Sequence, residues 1–257
     1  MAAIDFDAIR REWDEHAAGE EEWTKSPSVN RSLRWREIDR CTDPARGVRT
    51  ILDVGGATGA FSIPLARRGF EVTHVDISPA MLDIARGKVE ASPIRGSGSI
   101  RFIEGNAADL SAFADRSFDV VLNMDGPLSG SGPEADRVLR ESCRVTRRTL
   151  IVSAAHKAWV ATSRRRDGKS RDGIRAFTAS ELRRFIENNG LHVERASGMG
   201  SLAHLCGNAY VQELVASGDS GAFEAFVDEC EHFDRHISPD GPGSNDDTGL
   251  FAIARRI

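Results

Sequence analysis

From residue 49 onward, short β-branched segments alternate with segments of helical periodicity, and this alternation constrains the fold more than any other feature. Strands separated by helices of this length are joined by βαβ crossovers, which give a largely parallel sheet with helices on both faces. The predicted strands are Thr50–Val54, Glu71–Asp76, Ile100–Glu104, Phe118–Met124, Thr149–Ala154, Leu191–Ala196 and Leu250–Arg255. The sequence therefore predicts one doubly wound α/β domain built on seven strands.

Helices are predicted between these strands. Apolar residues recur at helical spacing in Gly59–Arg68, Pro79–Glu90 and Glu134–Arg144. Thr178, followed three positions later by a glutamate, has the pattern of a capping box and begins a further helix that ends at Gly190. Outside this alternation, residues 1–48 predict two or three helices, and residues 199–248 predict two helices and a loop.

The composition excludes several classes of protein. No uncharged apolar stretch reaches the ~20 residues that a bilayer requires, and the first residues have neither the basic nor the apolar region of a secretory signal. The cysteines lack the C-x-x-C spacing of a zinc site, which indicates reduced thiols in the cytoplasm. We therefore expect a cytoplasmic protein without a membrane partner or a metal.

Charge is unevenly distributed, although the formal net charge is only -5. Residues 140–175 carry eleven basic and three acidic side chains, whereas residues 219–247 carry nine acidic side chains and one arginine. A negative total argues against nucleic acid as a partner, while a local basic patch can attract an anionic ligand. The arginine-rich run 164–171 is interpreted as a solvated loop or, alternatively, as a gate over such a ligand.

The segment Ile51–Gly59 runs from a strand through a glycine-rich turn into a helix. Glycines let the backbone approach a ligand closely at the carboxyl edge of a parallel sheet. A dinucleotide fingerprint requires glycine where Ala57 stands, and the carboxylate of Asp53 opposes a diphosphate. The turn therefore favours a ligand that carries an ammonium group, with a purely structural turn as the alternative.

Polar residues follow the next two strands. Asp76 ends the second strand and can accept hydrogen bonds from both hydroxyls of a ribose. Asn106 or Asp109, after the third strand, can pair with an adenine amino group, or can simply form an Asx turn. These positions predict a nucleoside site at one edge of the sheet.

The order of these motifs resembles the class I S-adenosylmethionine-dependent methyltransferases, in the small-molecule branch often called type 11 or ubiquinone-biosynthesis-like. The matching segments are Leu52–Gly59, Val75–Leu82, Glu104–Leu110 and Phe118–Leu122. The resemblance implies a Rossmann-like, mostly parallel sheet whose last strand is antiparallel. It also implies S-adenosylmethionine as methyl donor, S-adenosylhomocysteine as product and a small-molecule acceptor, in a monomer or a homodimer.

The resemblance further implies a division of the chain within a single domain. Residues 1–48 would form a helical lid, 49–198 the cofactor-binding core, 199–248 a helical substrate roof and 249–257 the closing strand. The residues that it assigns to the cofactor are Asp53, Gly55, Gly56, Ala57, Gly59, Asp76, Ile77, Met81, Asn106, Ala107, Asp109, Asn123 and Arg36.

In this assignment the loop Asp53–Gly59, called the glycine loop below, surrounds the methionine moiety. Asp76 binds the ribose, and Asn106 binds the adenine edge. Asn123 faces the amino-acid end through its backbone, and Arg36 binds the carboxylate unless it belongs to a solvated helix face. Ala57 replaces the usual middle glycine of the family, and Asn106 stands where aspartate is commoner.

Methyl transfer from a sulfonium depends mainly on positioning, so a catalytic side chain is not obligatory. His156, just past the fifth strand, is the candidate general base, and Asp125 can orient a polar acceptor. His204 and Tyr210 in the roof are candidate substrate contacts. The acceptor atom, whether O, N, S or C, stays undetermined, because fold analogy does not choose among acceptors.

Two other functional classes remain open at this stage. A non-catalytic module that binds S-adenosylmethionine would keep the same motifs without turnover. An NAD-dependent oxidoreductase is disfavoured by Asp53, by Ala57 and by the lack of a second domain for substrate. Titration with S-adenosylhomocysteine and with NAD separates these classes.

Overall fold

The computed structural model describes residues 5–124, 126–158, 160–161, 173–237 and 249–257. The helices are α1 (Phe6–Lys25), α2 (Val29–Cys41), α3 (Ser62–Arg67), α4 (Pro79–Ala91), α5 (Pro127–Gly130), α6 (Ala135–Val145), α7 (Ala179–Asn188), α8 (Ser201–Cys206), α9 (Asn208–Ala216) and α10 (Ser220–His232). The strands are β1 (Thr50–Val54), β2 (Glu71–Asp76), β3 (Ser99–Glu104), β4 (Phe118–Asn123), β5 (Thr146–His156), β6 (Ala176–Phe177), β7 (His192–Gly198) and β8 (Leu250–Arg255).

The main path of the sheet has the order β3-β2-β1-β4-β5-β8-β7, and the short β6 pairs with β5 outside this path. The described strands are parallel except β8, which is antiparallel to both β5 and β7. This arrangement confirms the predicted fold class. The strand order reverses between β1 and β4, and ligands of open α/β sheets bind in the crevice at such a reversal.

Each face of the sheet carries its own apolar core, because side chains alternate along a strand. Leu52 and Val54 of β1 belong to one cluster, with α6 and α7. Ile51 between them belongs to the other, with α2, α3, α8 and α10. Apolar contact on both faces explains why the central strands read as nearly continuous apolar runs.

The structure corrects the predicted helices in two places. Helix α3 begins at Ser62 rather than Gly59, because the preceding turn continues through Gly59, whose φ is +86°. The roof segment forms three α-helices where two are predicted, followed by a π-helical turn at Phe233–Ile237. Gly207, with φ +87°, separates the first two of these helices.

Candidate cofactor-binding site

The glycine loop leaves β1 at the reversal point of the sheet. The N–H groups of Gly55 and Gly56 donate to the Val75 carbonyl at 2.7 and 3.2 Å, which holds the loop against the end of β2. A Cβ on Gly55 would lie 2.0 Å from Cγ of Pro127, at the start of α5. Glycine is therefore required here by its neighbour as well as by its φ of +70°.

Asp76 joins the loop to the end of β2. Its Oδ2 accepts from the Ala57 N–H at 2.8 Å, and its Oδ1 accepts from the Ser78 N–H at 2.9 Å. Burial raises the pKa of Asp76, and these two amide donors oppose that shift. A carboxylate offers about four acceptor positions, so Asp76 retains capacity for two hydroxyl donors such as those of a ribose.

Asp53 lies directly beneath the loop and is only 1% exposed. Its Oδ2 would be 2.9 Å from a Cβ placed on Gly56, so the carboxylate touches the floor of the turn. A negative charge in this position agrees with the predicted preference for a cationic group over a diphosphate.

The residues predicted for the adenine surround the ends of β2 and β3. Asn106 Oδ1 accepts from the Ala108 N–H at 2.9 Å, and Asp109 Oδ1 accepts from the Ser111 N–H at 3.2 Å. Both side chains thus form the Asx-type turns given as the alternative, and the pKa of Asp109 is lowered by its hydrogen bonds from Ser111. Their adenine roles stay predictions, as does that of the half-buried Ala107.

Three further predicted contacts differ in what they can offer a ligand. Ile77 is half-buried and follows the carboxyl end of β2, whereas Met81 in the first turn of α4 is only 1% exposed. The Asn123 side chain is fully buried and donates to Ser142 Oγ at 3.0 Å. The side chain is thus engaged in the core, and the backbone is the part of Asn123 that a ligand could contact. This matches the predicted backbone role of Asn123 without testing it.

Helix α1 lies across this edge of the sheet. Asp14 Oδ1 accepts from Ser78 Oγ at 2.5 Å and from the Ala80 N–H at 3.1 Å, at the positive N-terminus of α4. Arg10 pairs with Glu104 at the end of β3, with 3.0 Å between Nη2 and Oε1. The helix therefore bridges the ends of β2 and β3.

The same helix also reaches the ends of β1 and β4. Glu21 pairs with Lys88, whose Nζ donates to the Thr58 carbonyl in the glycine loop at 2.9 Å. A Cβ on Gly126 would lie 3.8 Å from the Trp13 ring, so Trp13 stands over the turn that follows β4. Together these contacts make α1 a cover over four strand ends.

Arg36 lies elsewhere. Its guanidinium pairs with Glu224, Asp228 and Glu231 of α10, at nitrogen–oxygen distances of 3.2, 2.7 and 3.0 Å. These carboxylates account for its charge by joining α2 to α10. We therefore do not carry Arg36 forward as a partner of the cofactor carboxylate.

Arg34, two residues earlier, is the buried cation that the sequence analysis missed. It is 1% exposed, and it shares the buried face of α2 with Asn30, Glu37 and Cys41. Cys41, one of these residues, lies with its Sγ 4.0 Å from Nη2 of Arg255 at the end of β8. The spacing of these polar residues among Leu33 and Ile38 is the signal that could have identified a buried stripe.

Of the two predicted catalytic residues, only His156 lies within the described residues. His156 ends β5 half-buried, with Nδ1 accepting from the Ala158 N–H at 3.1 Å. Burial lowers its pKa, which keeps the imidazole neutral and able to accept a proton near pH 7. Asp125 lies outside the described residues, as does the arginine-rich run 164–171.

The two predicted substrate contacts lie on different sides of the roof. His204, on α8, is half-buried, and its Nδ1 has no hydrogen-bond partner among the described atoms. Tyr210 is 47% exposed and packs edge-on against Phe226, with ring centroids 5.2 Å apart. The structure thus gives Tyr210 a packing contact on the outer surface.

Within the described ranges, no group of three His, Cys, Asp or Glu side chains could hold a metal ion. Cys41, Cys143, Cys206 and Cys230 are all free thiols. None of the described helices is long and apolar enough to cross a membrane.

Comparison with known proteins places this geometry in a family. Residues 51–149 match the family described as "Methyltransferase domain". A magnesium-protoporphyrin O-methyltransferase of Rhodobacter capsulatus is 34% identical over 126 residues, which cover 49% of this chain and 53% of that protein. A tRNA 5-carboxymethoxyuridine methyltransferase of Escherichia coli K12 is 27% identical over 123 residues, which cover 48% and 45%. The chain thus spans about half the length of these relatives.

Among solved structures, the magnesium protoporphyrin IX methyltransferase of Synechocystis PCC 6803 with bound SAH superimposes with a TM-score of 0.65. The match covers 98% of this chain and 100% of the other at 17% identity, so it shows a shared fold. Residues 51–149 thus match a methyltransferase domain, and the chain shares the fold of a methyltransferase solved with bound SAH. Both findings agree with the predicted resemblance to the class I S-adenosylmethionine-dependent methyltransferases and with the cofactor that this resemblance implies.

Proposed function

We propose that this protein transfers a methyl group from S-adenosylmethionine to a small-molecule acceptor. The observation that carries the proposal is the junction of Asp76 with the glycine loop, at the reversal point of a methyltransferase-type sheet. The loop has the form of a cradle, because a Cβ on Gly55 or Gly56 would collide with its neighbours. Asp53 beneath it supplies negative charge suited to an ammonium or a sulfonium group.

The chemistry that S-adenosylmethionine supplies when bound is a methyl group on a positively charged sulfur. Bound at the loop, it would supply this methyl group to an acceptor lone pair and would itself become a neutral sulfide. The protein's part is to hold the partners aligned and to exclude water. Asp76 would hold the ribose, and the glycine loop would hold the methionine end.

We assign α1 the role of a lid and α8 to α10 that of a roof over the acceptor. In support, α1 covers four strand ends through mainly polar contacts. His156 is the proposed base for an acceptor that is protonated at working pH. A His156→Ala variant should lose maximal rate while its affinity for S-adenosylhomocysteine is unchanged, and a wild-type rate from pH 6 to 9 would show that no such base is used.

A small-molecule acceptor is preferred to nucleic acid on electrostatic grounds. The basic stretch 140–175 is divided in the structure, because Arg144 and Arg147 lie near the start of β5, at the amino edge. Arg144 pairs with Glu141 and Asp115, and Arg147 pairs with Asp119. Among the described residues of this stretch, Arg144 and Arg147 are therefore paired with carboxylates at the amino edge and do not lie beside the glycine loop.

One relative is a magnesium-protoporphyrin methyltransferase and another acts on tRNA, so the acceptor class is the decisive measurement. The assay supplies deuterated S-adenosylmethionine to the protein with fractionated metabolites or with total RNA. A mass shift in a small molecule supports the proposal, and label confined to RNA overturns the acceptor class. Calorimetric binding of NAD but not of S-adenosylhomocysteine would overturn the methyl donor. We also propose a cytoplasmic monomer or homodimer, to be checked by fractionation and by light scattering.

A further inference from the structure

Trp13 projects from helix α1 toward the turn that follows β4. A Cβ on Gly126 would lie 3.8 Å from Cζ2 and from Cη2 of the indole, and no other atom of the ring comes within 4 Å of that position. The outer edge of the six-membered ring therefore makes this contact, and the faces of the ring are turned elsewhere. The side chain is half-buried, so part of its ring surface remains accessible to a ligand.

The neighbouring Asp14 shows where this ring lies on the sheet. Asp14 accepts hydrogen bonds from Ser78 and Ala80, directly after β2, whereas the Trp13 ring touches the turn after β4. Strand β1 lies between β2 and β4, and two strand spacings separate β2 from β4 by about 10 Å. The Trp13 side chain therefore extends over the end of β1, where the glycine loop begins.

The turn under Trp13 is in direct contact with the glycine loop. Cγ of Pro127, the residue after Gly126, would lie 2.0 Å from a Cβ on Gly55 of the loop. On the opposite side of the loop, the carboxylate of Asp53 is buried beneath it. The loop thus lies between a negative side chain below and an aromatic ring above.

Both groups favour a positive charge between them. The face of an aromatic ring carries partial negative charge and attracts a cation within about 6 Å of its centre, and tryptophan does so most strongly. S-adenosylmethionine carries a positively charged sulfur, whereas the sulfur of S-adenosylhomocysteine is neutral. The two molecules otherwise differ by a single methyl group, so an aromatic face distinguishes them mainly by charge.

We propose that Trp13 is a specificity-determining residue that makes the site bind the charged methyl donor more tightly than the neutral product. The inference rests on the proposed function, since it concerns the methionine end of the cofactor. With Asp53, the ring stabilises the sulfonium of the donor, and this attraction is absent from the product. The same residue therefore favours product release. A purely structural role, in which Trp13 only packs α1 on the turn after β4, would affect both molecules equally.

Calorimetric titration with both molecules, without an acceptor, tests the proposal. Trp13→Leu should weaken S-adenosylmethionine binding ~10-fold, or about 1.4 kcal/mol, and S-adenosylhomocysteine binding less than ~3-fold. Sinefungin, which carries an ammonium group in place of the methylsulfonium, should follow S-adenosylmethionine. The matched control is Trp23→Leu on the same helix, whose ring is 40% exposed and stacks on Arg31. It should change neither affinity. Equal losses for all three ligands in Trp13→Leu would overturn the proposal.

A second series keeps the shape of the side chain, so that α1 keeps its packing. Tryptophan with one, two or three fluorine atoms replaces Trp13 alone, because fluorine withdraws negative charge from the ring face. The dissociation constant for S-adenosylmethionine should rise ~2-fold with each fluorine, while that for S-adenosylhomocysteine stays constant. Constant values for both molecules would refute the role of the ring. Failure of the wild-type protein to bind either molecule would instead overturn the proposed function, and this inference with it.

Discussion

Helices α1 and α2 are neighbours in sequence but are held by different forces. The only buried residue of the 20-residue α1 is Ala17, and its contacts with the sheet edge are largely ion pairs and hydrogen bonds. The 13-residue α2 buries seven side chains. The two helices are therefore held differently: α2 is built into the core, and the proposed lid is α1 alone.

An ionic cluster reinforces this difference. Glu37 of α2 is 3% exposed and pairs with Arg195 of β7 at 2.5 Å and with Arg235 of the π-helical turn. Arg235 also pairs with Glu231 at 2.9 Å, and Glu231 in turn pairs with Arg36. The cluster joins α2, the roof and the sheet, so opening of α1 need not disturb α2.

The largest expected effect comes from removing the centre of that cluster. Glu37→Ala leaves Arg195 and Arg235 without their shared carboxylate, and we expect the free energy of unfolding to fall by about 3 kcal/mol in urea titrations. Glu21→Ala on α1 is the matched control and should cost less than about 1 kcal/mol, since its pair with Lys88 is partly exposed. Equal losses would show that α1 and α2 are one unit.

Low pH should lower the free energy of unfolding through His74, which is buried in the core. The pKa of His74 is lowered to about 4 by burial, below the unfolded value of 6.5, so the unfolded chain takes up the proton first. The contribution is fully present above pH 6.5 and is lost as the pH falls toward 4, up to about 3 kcal/mol. His74→Gln should flatten this loss in urea titrations at each pH, while His192→Gln on an exposed site should retain it. A wild-type profile without an acid slope contradicts the buried neutral imidazole.

Below the lid, Asp76→Ala should weaken S-adenosylhomocysteine binding by ~10-fold or more, because a lost charge-assisted hydrogen bond costs about 1.5–3 kcal/mol. Calorimetry measures the change, and Asp83→Ala on the exposed side of α4 is its control. Unchanged affinity would remove Asp76 from the site.

The smallest effect concerns the lid itself. Asp14→Ala removes the acceptor for Ser78 and Ala80 at the N-terminus of α4, a loss of about 1 kcal/mol. We expect S-adenosylhomocysteine to dissociate ~5-fold faster in stopped-flow measurements, and the free energy of unfolding to fall by no more than about 1 kcal/mol. Asp7→Ala, in the exposed first turn of α1, should leave the dissociation rate as it is. A rate unaffected by Asp14→Ala would argue against α1 as the lid.

Several predictions succeeded because they depend on short stretches of chain. The bounds of β1, β2 and β8 follow from local periodicity and match the structure. The glycine turn and Asp76 follow from steric and chemical requirements at a strand end, and the structure brings them into direct contact.

Other features depend on which helix face meets which neighbour. Arg36 and Arg34 are two residues apart on α2, yet one pairs with α10 and the other is buried toward the sheet, a difference that helical periodicity does not assign without the packing partner. Tyr210, a predicted substrate contact, is 47% exposed and packs edge-on against Phe226, a partner that local pattern does not identify; its substrate role stays a prediction.

The sequence by itself determined the largely parallel sheet and the acids at the strand ends, because these follow from local pattern. Only the tertiary structure decided that α1 covers the strand ends while α2 belongs to the core, and that His74 lies against Gly56. These relations join residues 17 or more positions apart through burial and charge pairing, which no local pattern encodes.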